Sequence, residues 1–274
     1  MKRIVVASDF HCGNRVGLTP PSWQDSPESG PVGHRKYAMF QREVWNFWAS
    51  ELAALQPVDC MFFLGDAVDG KGIRSGGTEE IEMCRVEQAN MAERCIDEVH
   101  AGEVYMVYGT PYHTGVDEDW EDIVAKSVGA EISGREFVEI EGLVFDLAHF
   151  VGGSSVPYSR STAALRDMVW NMIWAHDGKQ PDADYIIRGH VHHALYHEEY
   201  GKVVEILPAL QGYGSKFGVR KCRATVDIGF VHLDVSDGKV TRCPHMLKSD
   251  LLRIEPKRPF ESPISMETLS GSGE

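Results

Sequence analysis

Five short apolar runs, each cut off by a glycine, an aspartate or a histidine, constrain this fold more than any other feature. They are Arg3–Ser8, Val58–Leu64, Glu103–Tyr108, Leu143–Ala148 and Tyr185–Ile187. Runs of this length, rich in β-branched residues, read as buried strands rather than helices. Between the early ones lie helical patterns. Lys36–Leu55 carries Phe40, Val44, Phe47, Trp48 and Leu52 at helical spacing. A second helix is expected from Thr78, as N-cap, to about His100, and a third over Asp117–Val128. The second half has a different rhythm. Hairpins are expected around Glu141-Gly142, Gly201-Lys202 and Ser236-Asp237-Gly238, with one helix over Ser161–Ala175 whose Leu165, Met168, Val169, Met172 and Ile173 would face the core. The expectation is a mixed α/β (α+β) chain with two packed mixed β-sheets flanked by helices. Residues 1–250 would form one domain, and 251–274, rich in Pro, Ser, Gly and Glu, a mobile C-terminal tail.

Charge narrows the possible partners. The 274 residues hold 27 Lys+Arg against 41 Asp+Glu, a net charge of −14. That balance disfavours a broad grip on nucleic acid or anionic membrane. The run after Met1 stops at Asp9, too short for a signal segment, and no stretch suggests a membrane span. The six cysteines show no CxxC spacing, which fits a reducing, cytoplasmic setting. Cys84 and Cys95 are eleven residues apart and would share a core-facing helix face.

The strand ends carry the chemistry. They read Asp9-Phe10-His11, Gly65-Asp66-Ala67-Val68-Asp69, Gly109-Thr110-Pro111-Tyr112-His113, His149, and Gly189-His190-Val191-His192. Ligands of open α/β sheets bind beyond the carboxyl ends of the strands. Mixed carboxylate and imidazole donors suit manganese, iron, zinc or nickel rather than thiolate-bound metals. Taken singly each piece is weak: Asp-x-His reads equally as a surface turn, and a lone His149 as a structural histidine. In order, at successive strand ends, they describe one site.

This ordered set resembles the calcineurin-like metallophosphoesterase superfamily, over roughly residues 1–245. The family pattern is D-x-H, G-D-x-x-D, G-N-H-[ED], a single His, then G-H-x-H. The resemblance implies a metallophosphoesterase-like four-layer sandwich and two divalent metal ions, manganese first, with Fe, Ni, Zn or Mg as alternatives. One ion would be held by Asp9, His11, Asp66 and His192. The other would be held by Asp66, a third-block residue, His149 and His190. The third block departs from the pattern. Thr110 stands where the family has Asn, and Pro111-Tyr112 intervene before His113. In one reading Thr110, or a backbone carbonyl, completes the second metal shell. In the other that ion is labile. Retention of both His149 and His190 favours the first.

Two ions about 3.5–4 Å apart acidify a bridging water and clamp phosphoryl oxygens. The expected activity is therefore phosphate-ester hydrolysis by a metal-bridging hydroxide. His113 would protonate the leaving alkoxide, and Asp69 would orient that imidazole, unless Asp69 only caps a turn. Arg15 and Arg160 are the leading substrate-binding candidates, ahead of His34, Arg35, Arg74 and Lys216. Cys12 is read as packing, and His193 as a supporting or exposed residue. The substrate class expected is a small phosphate ester, leaning to a nucleotide-type phosphodiester. Gly70 occupies the place of the phosphate-binding Arg of phosphoprotein phosphatases, which ranks that class low. The alternatives are a DNA/RNA nuclease of the double-strand-break-repair type and a non-catalytic scaffold on the same fold. The oligomeric state is left open.

Overall fold

Alternation along β1 (Lys2–Ala7) sorts its side chains between two cores. Ile4 and Val6 point to one, Val5 and Ala7 to the other, and all four are fully buried. A strand segment buried on both faces needs apolar residues at every position, and that is the composition seen from Ile4 to Ala7, after the charged Lys2 and Arg3. The computed structural model describes residues 1–27, 34–73, 75–116, 118–154, 156–213, 225–253 and 256. Arg74, Lys216, Cys222 and most of the expected tail lie outside the described residues.

The first sheet has strand order β11-β10-β1-β2-β3-β4. Strands β2 (Cys60–Phe63), β3 (Glu103–Val107) and β4 (Glu131–Ser133) run parallel to β1. The hairpin of β10 (Ile228–Ser236) and β11 (Lys239–Leu247) adds antiparallel on the other side. The second sheet has the order β5-β6-β7-β9-β8, with β5 (Glu136–Ile140), β6 (Leu143–Leu147), β7 (Tyr185–Arg188), β8 (Leu195–Glu199) and β9 (Lys202–Ile206). Its centre is parallel and its two edges are antiparallel hairpins.

Among the described residues three apolar cores separate four layers. The largest lies between the first sheet and the helices α1 (Arg35–Leu55), α2 (Arg85–Asp97) and α4 (Glu121–Ser127), with Phe40, Trp48, Phe10, Phe63 and Phe230 at its centre. The second is the interface of the two sheets, where Phe62, Leu64 and Val231 meet Phe145, Leu147 and Ile187. The third lies under α5 (Thr162–His176), whose Ala164 and Met168 cover Ile186, Val204 and Ile206. The two-sheet, helix-flanked sandwich expected from the strand pattern is the observed architecture. Leu252 is packed into the first core, so the chain is held to that residue at least.

Three local expectations are corrected. The segment from Thr78 does not start a helix. It forms turns, and α2 begins only at Arg85 with Cys84 as its extended N-cap. Cys84 is therefore exposed while Cys95 is buried, and the two do not share a core. In α5 the expected apolar stripe is not the buried one. Val169, Met172 and Ile173 are 50%, 39% and 44% exposed. The buried side runs instead through Ala164, Met168 and Asn171. The reason is polar: Asn171 donates to Pro181 O and accepts from Ala183 N–H, both at 3.1 Å, which fixes that face toward the entry of β7.

Candidate metal centre

Strands β1, β2 and β3 are parallel neighbours, so their carboxyl ends open onto one edge. The ends of β6 and β7 from the second sheet close over the same edge. The backbone there is unusual. Asp9, His11, Asp66, His190 and His192 all have φ between 47° and 74°. Non-glycine residues adopt this left-handed region at a cost of about 1–3 kcal/mol each, and such strain gathers at functional sites. Glycines then let the loops touch. A Cβ on Gly65 would lie 2.5 Å from the backbone of Gly109, and one on Gly109 would collide with the amide of Asp66. A Cβ on Gly189 would meet the Ser8 hydroxyl and, at 2.9 Å, Asp9 Oδ2.

Among the described residues three groups of three metal-type donors result: Asp9, His11 and His192, then Asp66, His149 and His190, and beside them His11, Asp69 and His113. In the first, His192 Nε2 lies 3.1 Å from Asp9 Oδ1 and 3.2 Å from His11 Nε2. In the second, His149 Nε2 lies 3.1 Å from Asp66 Oδ2. That same Asp66 oxygen is 4.0 Å from His11 Nε2, so Asp66 stands between the groups. His149 is oriented from behind by Leu64 O, 2.5 Å from its Nδ1. This leaves Nε2 to face the centre, the arrangement metal-bound histidines use. Asp9 Oδ2 is held by the amide of His190 at 3.0 Å and by the Ser8 hydroxyl. Asp9 Oδ1 and His149 Nε2 are buried without a hydrogen bond of good geometry among the described residues, and their 3.1 Å neighbours, His192 Nε2 and Asp66 Oδ2, are themselves metal-type donors. Buried polar atoms are ordinarily well hydrogen-bonded, so two such atoms aimed into one donor cluster fit cations.

The electrostatics agree. Burial alone would raise the Asp9 and Asp66 carboxyls and depress His149. The opposing charges win: Asp66 falls to about 2, Asp9 drops well below its usual range, and His149 rises to about 9. His190 is depressed by burial and by the neighbouring His149, which leaves a neutral imidazole ready to donate a lone pair.

The altered third block has a structural explanation. Thr110 stands at the N-cap position of a single helical turn, α3 (Pro111–Thr114), with Pro111 at its first position. That turn carries His113 back against the centre. Its ring packs edge-on to His11 at 4.5 Å, and its Nδ1 lies 3.0 Å from Asp69 O and 3.3 Å from Asp69 Oδ1. Asp69 also holds His11 Nδ1 at 2.8 Å and accepts from Asn14 at 2.9 Å. Burial would raise its carboxyl, but its bonds to His11 and His113 keep it well below the usual range. Thr110 donates to Asp66 through its amide at 2.7 Å and its hydroxyl at 3.1 Å. In this geometry Thr110 serves Asp66 directly.

The two expected substrate arginines are placed differently. Arg15 lies over the Tyr37 ring at 5.3 Å, and Arg160 donates to Thr225 Oγ1 at 3.1 Å. Their observed contacts are thus outside the donor cluster. His193 is buried, 3% exposed, and depressed by burial and by Arg160.

Three supporting carboxylates were not singled out from the sequence. Glu121 on α4 is fully buried. It accepts the amides of Ala67 and Gly109, each at 2.7 Å, and so ties together the loops after β2 and β3. Burial and the charge of Asp66 push it up to about 8. Glu80 lies against Asp69 and is pushed up to about 9 by burial and that charge. Asp146 on β6, 0% exposed, binds Arg135 at 2.6 Å and Arg188 at 2.9 Å, locking the strands that deliver His149 and His190. The acidic first turn of α4 was the one available hint for Glu121.

No protein-family model matches the chain, and no curated protein matches it. Solved structures do. Vps29 from Chaetomium thermophilum is 12% identical over 90% of this chain and 97% of that one, with a TM-score of 0.45. Vps29 from Entamoeba histolytica, complexed with Zn2+, is 16% identical over 89% and 98%, at 0.42. A novel archaeal phosphodiesterase is 12% identical over 88% and 99%, also at 0.42.

Proposed function

We propose that this chain is a metal-dependent phosphoesterase acting on a small phosphate ester, with a nucleotide-type phosphodiester as the leading substrate. The observation that carries the reading is the pair of adjacent donor groups with Asp66 standing between them, and Asp9 Oδ1 and His149 Nε2 buried and facing other metal-type donors at 3.1 Å. Asp9, His11 and His192 would hold one divalent ion and Asp66, His149 and His190 the other, manganese foremost. Such ions, when bound, neutralise the carboxylates, clamp phosphoryl oxygens and acidify a water.

The chain's own residues supply the rest. His113 is held at Nδ1 by Asp69, which leaves Nε2 to give a proton to the leaving alkoxide. Asp69 stays ionised and steadies the imidazolium, so it positions His113 and His11 together. Arg15 and Arg160 remain the candidates for phosphate oxygens beyond the centre. The chain's net charge of −14 supports a small substrate over a long polyanion.

The test is hydrolysis by metal-stripped protein given Mn2+, Ni2+, Zn2+ or Mg2+, with bis-p-nitrophenyl phosphate and p-nitrophenyl phosphate as substrates. Metal-dependent turnover, faster on the diester, is expected, and Asp66→Asn should fall to background. Absence of turnover with every metal would overturn the proposal in favour of a non-catalytic scaffold.

A further inference from the structure

The outer face of α5 is apolar where a solvated helix should be polar. Val169, Trp170, Met172, Ile173 and Trp174 are between 39% and 51% exposed. Together these five side chains present on the order of 400 Å² of apolar surface, the size of the largest patch on a typical monomer. The two indoles supply about half of it. Tyr158 and Val156, just before the helix, extend the same kind of surface, at 91% and 38% exposed.

The ends of this face are charged, and oppositely so. Arg166, Trp170, Ile173 and Asp177 follow one another at helical spacing along the exposed side, with Arg166 and Asp177 both exposed. Two copies of α5 laid antiparallel about a two-fold axis between Asn171 and Met172 would pair each Arg166 with the other copy's Asp177. The same register sets Trp170 near Ile173, with Val169 and Trp174 on the two flanks of the seam. A two-fold interface requires such self-complementarity, because each residue must meet its partner twice. A lipid surface would want cations along the whole face, and an unrelated partner would not need this symmetry.

We infer that α5 is the self-association face of this chain and that its occupant is α5 of a second copy. The apolar area is about half that of a standard interface per partner, so the association is weak, with a dissociation constant of about micromolar order.

Sedimentation velocity of the full chain from low to high micromolar concentration tests this, with circular dichroism as the check on folding. A concentration-dependent dimer is expected. Arg166→Asp and Asp177→Arg should each weaken it about tenfold or more by setting like charges against each other. The doubly reversed chain should recover to within about threefold, because the pair is restored in the opposite sense. Trp170→Glu should be monomeric. A monomer at every concentration overturns the inference. So does a dimer indifferent to Arg166→Asp, or a double reversal no better than the singles. A monomer that instead sediments with anionic vesicles through Trp170 would assign the face to lipid and overturn it too.

Discussion

Glu121→Gln probes the support of the centre without touching a metal donor. The wild-type carboxylate satisfies two buried amides, those of Ala67 and Gly109, each at 2.7 Å. Glutamine has one carbonyl oxygen. It can satisfy one amide, and its NH2 then faces the other, donor to donor. A buried N–H left without a partner costs about 1–3 kcal/mol. Against this stands the carboxyl's own position, pushed up to about 8 from an ordinary 4.5 by burial and by Asp66. A carboxyl whose folded pKa lies above its unfolded one contributes stability in full below the unfolded value. That contribution is lost as pH rises through the folded value. At about 1.36 kcal/mol per unit, the loss approaches 5 kcal/mol in the metal-free protein. The two effects oppose each other. Metal-free Glu121→Gln should therefore be less stable than wild type by about 1–2 kcal/mol near pH 5, cross it at roughly pH 6, and be the more stable protein by pH 8. With metal bound beside Asp66 the repulsion is offset, so the variant should stay the weaker protein and bind its second ion about 10–100-fold less tightly. Urea unfolding at pH 5 and pH 8, with and without Mn2+, reads all of this. A metal-free deficit of the same size at both pH values would refute the reasoning, because Glu121 would then carry no raised pKa.

Other consequences are simpler to state. His113→Ala should slow esters with poor leaving groups at least about tenfold more than p-nitrophenyl esters, which need little acid help; equal losses on both would remove His113 from proton transfer. Asp146→Asn takes from the buried Arg188 one of its two carboxylates, leaving Asp167 at 3.0 Å, and should cost about 2–4 kcal/mol in urea unfolding; a loss below about 1 kcal/mol would show the pair to be replaceable. The same carboxyl is held below its usual range: burial would raise it, and Arg135 and Arg188 outweigh burial. Its stabilisation is therefore present above the unfolded pKa and lost as pH falls through the lower folded value, so acid unfolding of wild type should be steeper than that of Asp146→Asn.

The strands and their polar stops were legible in the sequence because burial on both faces and a sharp end leave strong local marks. Asp9, His11, Asp66, His149, His190 and His192 could be gathered into one place because each follows a strand end and because their order resembles a known family's pattern. What the sequence hid was non-local. β4 is three residues long and pairs only because β3 offers an edge. Thr78 looks like a helix start, yet the helix waits for Arg85, because residues before it bond elsewhere: Ile81 N–H donates to Gly13 O. The stripe on α5 misled because that helix is apolar nearly all round, and Asn171, a polar residue, chose which side went inward. The role of Glu121 depends on two amides far from it in sequence. The purpose of Pro111-Tyr112 appeared only once the extra residues were seen to complete a helical turn.

The contact of Gly65 with Gly109 carries a further consequence. A pocket wall is ordinarily upholstered with side chains, whose rotamers yield under load. Here main chain rests on main chain, with no room for one added carbon on either side. The wall is a mechanical stop: the loops after β2 and β3 can part, but they cannot come closer. The separation of the ligands they carry thus has a floor set by bond lengths and atomic radii, and no repacking elsewhere in the molecule can lower it.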